Sequence, residues 1–109
     1  MLETLRIQSP VPTTTYTELI KDAKIGDINM RKGDKFTVTI HALHYNANEW
    51  QRPYEFLPER FDNSNPLSLT PNLQKRKTFS WAPFSGGKRV CFGKTFAEAS
   101  LKIVATYLT

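Results

Sequence analysis

The chain contains a single cysteine, Cys91, and the residues beside it are suited to hold a sulfur ligand or a sulfur nucleophile. The segment 84–93 reads Phe-Ser-Gly-Gly-Lys-Arg-Val-Cys-Phe-Gly, and the pattern after it predicts a helix over 92–108. The free amides of a first helical turn, together with the cation of Arg89, favour thiolate over thiol. The paired glycines permit a tight turn, and Gly93 leaves room for a large flat group close to the backbone.

Three interpretations of this cysteine follow from the residues alone. A buried structural cysteine is the usual role of a lone cysteine. A nucleophilic cysteine needs a base, and His41 and His44 lie about fifty residues upstream in another element. An axial thiolate ligand to a planar cofactor uses every feature of the segment, since Phe84 and Phe92 would keep the sulfur dry. A lone cysteine also excludes an intramolecular disulfide and a four-cysteine or two-cysteine, two-histidine zinc site.

The elements that must position the cysteine are readable from the hydrophobic pattern. Residues 1–8 predict the end of a helix that the following prolines stop. Alternation over 24–40, with Phe36, Val38 and Ile40 on one face, predicts a β-hairpin. The stretch 50–83 is rich in aromatic residues and proline and predicts an ordered, irregular meander. It leads into the cysteine loop.

Length and charge limit the function classes without choosing among them. A chain of 109 residues forms one small domain at most, and no apolar run is long enough to span a membrane. The net charge of +5 suits an acidic partner protein, anionic lipid or nucleic acid, but no nucleic-acid motif supports the last. The first residues lack the apolar core of a signal peptide.

The cysteine segment resembles the heme-binding signature of the cytochrome P-450 superfamily of heme-thiolate monooxygenases, Phe-x-x-Gly-x-Arg-x-Cys-x-Gly. All five defined positions are present, as Phe84, Gly87, Arg89, Cys91 and Gly93. Two further blocks resemble motifs of the same family in the same order. Glu3-Thr4-Leu5-Arg6 is similar to its Glu-x-x-Arg helix motif, and Pro58-Glu59-Arg60-Phe61 is similar to its Pro-Glu-Arg-Phe motif.

The resemblance implies a fold class and a role for each matching residue. The fold would be mainly α with a small β-hairpin (α+β), the C-terminal heme-binding part of the cytochrome P-450 fold, incomplete, with 1–109 as one portion of a single domain. Cys91 would be the axial ligand of the iron of heme b (iron protoporphyrin IX), with the amide of Gly93 tuning its donation. Arg89 would pair with a heme propionate, and Phe84 would pack over the thiolate side.

The other two motifs imply a structural network. In the family, Glu3 and Arg6 would join Arg60 in a buried ion cluster that locks the helix against the loop before the cysteine. His44 matches only the first residue of the His-Arg-Asp-Pro block found in many members. We therefore expect a packing or hydrogen-bonding histidine there and not a heme contact.

The resemblance also implies the activity of a longer parent protein. That protein would insert one oxygen atom from O2 into an organic, lipophilic substrate, using NADPH electrons from a reductase or small electron carrier, at the cytoplasmic face of the endoplasmic reticulum. The acidic electron donor would meet a basic face near the cysteine loop, which has five candidate residues. These are Lys75, Arg76, Lys77, Lys88 and Lys94.

We expect the chain to be a C-terminal piece of such an enzyme, from a truncated gene model, a pseudogene or a partial clone. No catalytic residue of the distal heme side is then encoded, and the 109-residue chain alone would be inactive. Two alternatives remain open. One is a heme-binding or heme-sensing module without oxidation, and the other is a basic interaction domain in which Cys91 is structural.

Overall fold

The computed structural model describes residues 1–108, in which α-helices combine with short antiparallel strand pairs. This combination confirms the expected α+β class. The helices and strands, in chain order, are α1 (Leu2–Ile7), β1 (Thr17–Glu18), β2 (Ala23–Ile25), β3 (Ile28–Met30), β4 (Lys35–Phe36), α2 (Ile40–His44) and α3 (Lys94–Leu108). The long connection from α2 to α3 is irregular apart from four 3-10 turns, at Pro58–Phe61, Pro66–Ser68, Thr78–Ser80 and Gly87–Arg89.

The strands differ from the single hairpin predicted over 24–40. Strand β2 pairs with β3 as a tight hairpin, and β1 pairs with β4 outside it, with Thr17 opposite Phe36. The predicted strand over 36–40 ends at Phe36. The amide of Val38 donates to the side-chain hydroxyl of Thr14 at 2.9 Å, so a hydroxyl replaces the carbonyl that would have continued the ladder. Ile40 then begins α2.

The core is small and mostly polar. Few apolar side chains are buried, and the largest of them is Trp50, which is 1% exposed. The buried apolar residues are Leu5, Ile40, Trp50 and Ala82. The buried polar and charged residues are Glu3, Arg6, His44, Glu49, Arg60, Thr70 and Ser80. Hydrogen bonds and ion pairs, rather than apolar packing alone, must therefore fix the arrangement of α1, α2 and the meander.

Helix α3 follows the cysteine loop and stands apart from that core. It begins at Lys94, two residues after the predicted start, and none of its residues is buried. Its apolar side chains face solvent, with Phe96 79% and Leu108 81% exposed. Within residues 1–108, no helix is long and apolar enough to cross a membrane.

Candidate functional site

The cysteine loop is closed by a backbone hydrogen bond between its two ends. The amide of Cys91 donates to the carbonyl of Phe84 at 2.8 Å. Inside the loop, the 3-10 turn Gly87–Arg89 begins at a positive φ of 66° at Gly87, a conformation that favours glycine. The amide of Lys94 donates to the carbonyl of Cys91 at 3.3 Å, which joins the loop to α3. The loop therefore holds the cysteine just before the first turn of α3.

The thiol of Cys91 is free and exposed, and two glycines of this segment differ in what surrounds them. A Cβ atom at Gly93 would lie 3.9 Å from the Cys91 sulfur, so any side chain there would line the approach to the thiol. A Cβ atom at Gly86 would lie 2.3 Å from the ring of Phe79. Glycine at that position is what lets the Phe79 ring pack against the loop.

A cleft of about 760 Å³ opens beside the loop. Arg89, Ser85 and Gly86 line it on the loop side, while Cys91 is not among its lining residues. Its opposite wall includes Phe36, Val38 and Ile40, the three residues that the sequence places on one face. All the lining residues are Thr14, Thr15, Tyr16, Thr17, Glu18, Phe36, Val38, Ile40, Leu43, Phe79, Ala82, Ser85, Gly86 and Arg89. The cleft thus combines an apolar wall with one cation, Arg89, and one carboxylate, Glu18, which is paired with Lys35 at 3.8 Å. The side of the cleft that Arg89 lines suits a flat apolar group that carries an acidic edge.

The three residues of the predicted ion network lie together and are almost fully buried. Glu3 accepts two hydrogen bonds from Arg6, each at 2.8 Å, and one from Nε of Arg60 at 3.0 Å. The amide of Leu57 adds a fourth at 3.0 Å. Arg6 and Arg60 are each 0% exposed and Glu3 is 1% exposed, so a single carboxylate sits between two buried cations.

Burial and charge act against each other at Glu3. Burial would raise the pKa of this carboxyl, but the hydrogen bonds from Arg6 and Leu57 and the charges of Arg6 and Arg60 outweigh it. The pKa of Glu3 therefore lies below its ordinary value, and the group stays ionised in the folded chain.

Backbone carbonyls satisfy the remaining guanidinium donors. Arg6 donates to the carbonyl of His44 at 2.8 Å and to that of Pro53 at 2.8 Å, and Arg60 donates to the carbonyl of Arg52 at 2.9 Å. Both arginines also donate to the carbonyl of Glu55 at 3.1 Å. The cluster therefore anchors the start of the meander to α1, and the backbone carbonyls accept the guanidinium hydrogens that its single carboxylate does not bind.

The prediction that Arg76 belongs to a basic surface face is wrong, because this side chain turns inward. Its guanidinium lies 4.2 Å from the ring centroid of Trp50 and donates to the carbonyls of Leu67 at 2.9 Å and Arg60 at 2.6 Å. A planar, weakly hydrated guanidinium stacks on an indole far better than an ammonium does, which is why this member of the basic run turns inward. Burial lowers the pKa of Arg76 from its ordinary value, with the nearby charge of Arg60 adding to that effect.

The other basic candidates differ in exposure. Lys75, Lys77 and Lys88 are exposed, and Lys94 is half-buried at the start of α3. The Nζ atom of Lys77 lies 3.7 Å from Glu49, so part of its charge is already compensated.

Sequence reasoning missed a second anchor, at Glu49. Its buried carboxylate accepts from the amide of Lys77 at 2.9 Å and from the hydroxyl of Ser80 at 2.7 Å. These hydrogen bonds lower the pKa of Glu49. The indole N–H of Trp50 also donates to the carbonyl of Ser80, at 3.2 Å. No local motif marks these partners, because about thirty residues separate them and only the folded meander brings them together.

His44 is the expected hydrogen-bonding histidine and is 0% exposed. Its Nδ1 lies 3.1 Å from the carbonyl oxygen of Arg6, and its Nε2 accepts from the amide of Ala82 at 3.0 Å. Burial, followed by the charges of Arg6 and His41, lowers the pKa of His44 to about 4, although the hydrogen bond to Arg6 opposes the shift. The ring is therefore neutral at pH 7.

Comparison with known proteins agrees with the motifs. The sequence model of the cytochrome P-450 family matches residues 1–108. Steroid 17-alpha-hydroxylase/17,20 lyase of Felis catus is 35% identical over 107 residues, which cover 97% of this chain and 20% of that protein. The same enzyme of Ovis aries is 38% identical over 100 residues, covering 91% of this chain and 18% of that protein. The chain thus spans about a fifth of the length of these curated relatives.

Solved structures show the same similarity in three dimensions. The retinoic acid-bound cyanobacterial CYP120A1 superposes with a TM-score of 0.85 at 32% identity, over 98% of this chain and 23% of that one. A zebra fish cytochrome P-450 with progesterone superposes with a TM-score of 0.73 at 29% identity, over 92% of this chain and 20% of that one. With the family model matched along nearly its whole length, the chain belongs to the cytochrome P-450 family.

Proposed function

We propose that this chain forms the thiolate-ligand side of the heme site of a heme-thiolate monooxygenase. The observation that carries the proposal is the closed loop from Phe84 to Cys91, which holds an exposed thiol and lines a cleft with Ser85, Gly86 and Arg89. Family membership makes heme the expected cofactor.

The residues present fit that cofactor. Gly93 leaves the space beside the sulfur free of any side chain, and the cleft supplies an apolar wall for a porphyrin. Arg89 would hold a propionate by a charge-assisted hydrogen bond. Gly87 and Phe84 would act through the loop itself, the first by its positive φ and the second by its carbonyl, which fixes the Cys91 amide.

Each part of the chain has a task in this function. Cys91 would bind iron as the thiolate, and the closed loop would hold the sulfur in a fixed position. Heme, when bound through a thiolate, supplies the chemistry that activates O2 for cleavage. The buried cluster of Glu3, Arg6 and Arg60 binds backbone carbonyls of the meander as well as its own members, so we assign it the structural task of holding α1 against the meander.

Heme titration of the purified chain tests the proposal. We expect the reduced, CO-bound complex to show the red-shifted Soret band of thiolate ligation, and Cys91→Ala to lose that band. Gly93→Ala is the matched variant, because its Cβ meets only the Cys91 sulfur at an ordinary contact distance. It should leave the free energy of unfolding of the chain nearly unchanged and weaken heme binding.

Three results would count against the proposal. A CO complex whose band is the same in Cys91→Ala and in the unsubstituted chain would show that another residue holds the iron. Failure of the folded chain to bind heme at all would favour a basic interaction domain with a structural cysteine. Heme binding without oxidation in the complete protein would favour the heme-sensing alternative.

For the longer protein we propose a lipophilic substrate, NADPH-derived electrons and a position at the endoplasmic reticulum membrane. The relatives named for steroid hydroxylation, and the solved neighbours that hold retinoic acid or progesterone, support the substrate class. We further propose that an acidic electron donor docks on the exposed lysines near the loop, now without Arg76.

Charge reversal tests this docking surface. The variants Lys75→Glu and Lys88→Glu should slow association with an acidic reductase, and the loss should shrink as ionic strength rises. Lys24→Glu, on strand β2 and outside the proposed docking surface, is the control and should change little. Equal losses in all three variants would show that net charge alone, and not this surface, governs the encounter.

A further inference from the structure

A buried histidine links the ion cluster to the segment that opens the cysteine loop. His44 is the last residue of α2, and its ring lies between the backbone of α1 and the backbone at Ala82. The contact with α1 is reciprocal, because the Arg6 side chain donates to the His44 carbonyl at 2.8 Å. The position of the ring is therefore fixed on one side by α1 and on the other by the backbone at Ala82.

A continuous set of hydrogen bonds leads from this ring to the cysteine. His44 Nε2 accepts from the amide of Ala82 at 3.0 Å, and the Ala82 carbonyl accepts from the amide of Ser85 at 3.0 Å. The peptide unit that holds the Ser85 amide also holds the Phe84 carbonyl, which accepts from the amide of Cys91 at 2.8 Å. Ala82 is 6% exposed, so water does not compete at the first step.

The partners fix the protonation state of the ring. The Ala82 amide can only donate, so Nε2 must be the unprotonated, accepting nitrogen. The Arg6 carbonyl can only accept, so Nδ1 must carry the proton. The charged groups that act on the ring are Arg6 of α1 and His41 of α2, and both disfavour a second proton. The segment 80–82 faces it with neutral residues only.

We infer that His44, as the neutral Nδ1–H tautomer, is a positioning residue for the cysteine ligand, and that it sets the loop through the Ala82 amide. The inference rests on the proposed heme-thiolate function, since it assigns a task to the position of Cys91. If His44 only stabilised the fold, loss of either of its two hydrogen bonds would affect the cysteine loop equally. If His44 positions the loop, loss of the hydrogen bond to the Ala82 amide would affect the loop more than loss of the hydrogen bond to Arg6.

Nitrogen NMR of the unsubstituted chain, labelled at histidine, is the first test and needs no heme. We expect the His44 ring to be the Nδ1–H tautomer and to stay neutral as pH is lowered to about 4. An Nε2–H tautomer would overturn the inference, because the Ala82 amide would then have no acceptor. So would a ring that gains its second proton near the ordinary histidine value of about 6.5.

Two amide variants of His44 separate its two hydrogen bonds. In His44→Asn the amide group stands at the position of Nδ1, so it can still donate to the Arg6 carbonyl but leaves the Ala82 amide without a partner. In His44→Gln the amide group stands at the position of Nε2, so it can still accept from Ala82 but loses Arg6. Both variants remove one buried hydrogen bond, so they form a matched pair.

The readout is the hydrogen-exchange rate of the Cys91 amide. The rates of the two variants are compared under conditions that give both the same free energy of unfolding. We expect the rate in His44→Asn to exceed that in His44→Gln by about tenfold, as loss of one buried hydrogen bond allows. Equal rates in the two variants would overturn the inference. If neither variant folds, the tautomer of the unsubstituted chain decides. Failure of heme to bind, with the exchange difference intact, would count against the proposed function and not against the positioning role.

Discussion

At the scale of single residues, one carboxylate determines the state of the buried cluster. Within residues 1–108, Glu3 is the only carboxylate that forms ion pairs with both Arg6 and Arg60, and all three side chains are at most 1% exposed. A buried ion pair adds little net stability compared with apolar packing, but loss of one member leaves an uncompensated buried charge. Glu3 is therefore the residue at which the cluster is most sensitive to substitution.

We expect Glu3→Gln to lower the free energy of unfolding by roughly 3–5 kcal/mol at pH 7, because it leaves two buried guanidinium groups without a carboxylate. Urea denaturation followed by circular dichroism measures the change. Glu55→Gln is the control, since it breaks the exposed pair with Arg52 and should change the unfolding midpoint little. A loss in Glu3→Gln no larger than in Glu55→Gln would show that the cluster is not a stabilising unit.

The pH dependence of this difference gives a second measurement on the same variant. The pKa of Glu3 is lower in the folded chain than in the unfolded chain, so its stabilisation is present above the ordinary value of 4.5 and is lost as pH falls through the folded value. The difference in free energy of unfolding between Glu3→Gln and the unsubstituted chain should therefore become smaller below pH 4.5. A gap that stays constant to low pH would contradict the assigned shift.

At the scale of elements, the cysteine loop and α3 have different support. The loop is tied to the core by the hydrogen bonds of Ala82, Ser85 and Cys91, whereas none of the residues of α3 is buried. An isolated helix of 15 residues is marginally stable in water, since tertiary packing normally supplies most of its stability. Helix α3 should consequently be the least stable helix of the chain.

Hydrogen exchange measured residue by residue tests this difference. We expect the amides of α3 to exchange well before the amides of Arg60 and Trp50, two buried residues of the core. The comparison is internal, so it does not depend on the absolute stability of the chain. Protection of α3 equal to that of Arg60 and Trp50 would contradict the expectation and would indicate self-association through the apolar side chains of α3.

At the scale of the whole molecule, the chain is more extended than a typical domain of its length. The radius of gyration is 16.2 Å, and the extents are 50 × 35 × 20 Å. A compact chain of this length would have a radius of gyration of about 13 Å. The difference is consistent with the small core, with α3 standing clear of it, and with large exposed side chains such as Phe92 and Tyr107. Contacts within this chain leave much apolar surface uncovered.

The sequence alone determined the family, the fold class and the residues that form the cysteine loop. Short motifs suffice for this, because each fixes its chemistry within a few neighbouring positions. Glu3 and Arg6 share one helix, and Arg89, Cys91 and Gly93 share one loop. The apolar face of Phe36, Val38 and Ile40 was also readable, because its alternation survives although the strand itself ends at Phe36.

Only the tertiary structure decided which residues far apart in the sequence contact each other. Arg76 lies in a basic run that suggests a solvated surface, yet it stacks on Trp50, because the meander places a buried indole and two carbonyls within its reach. The ring of His44 meets Ala82 across 38 residues, and neither residue carries a local signal of the other. Such pairings depend on loop closure and burial, which a linear pattern does not encode.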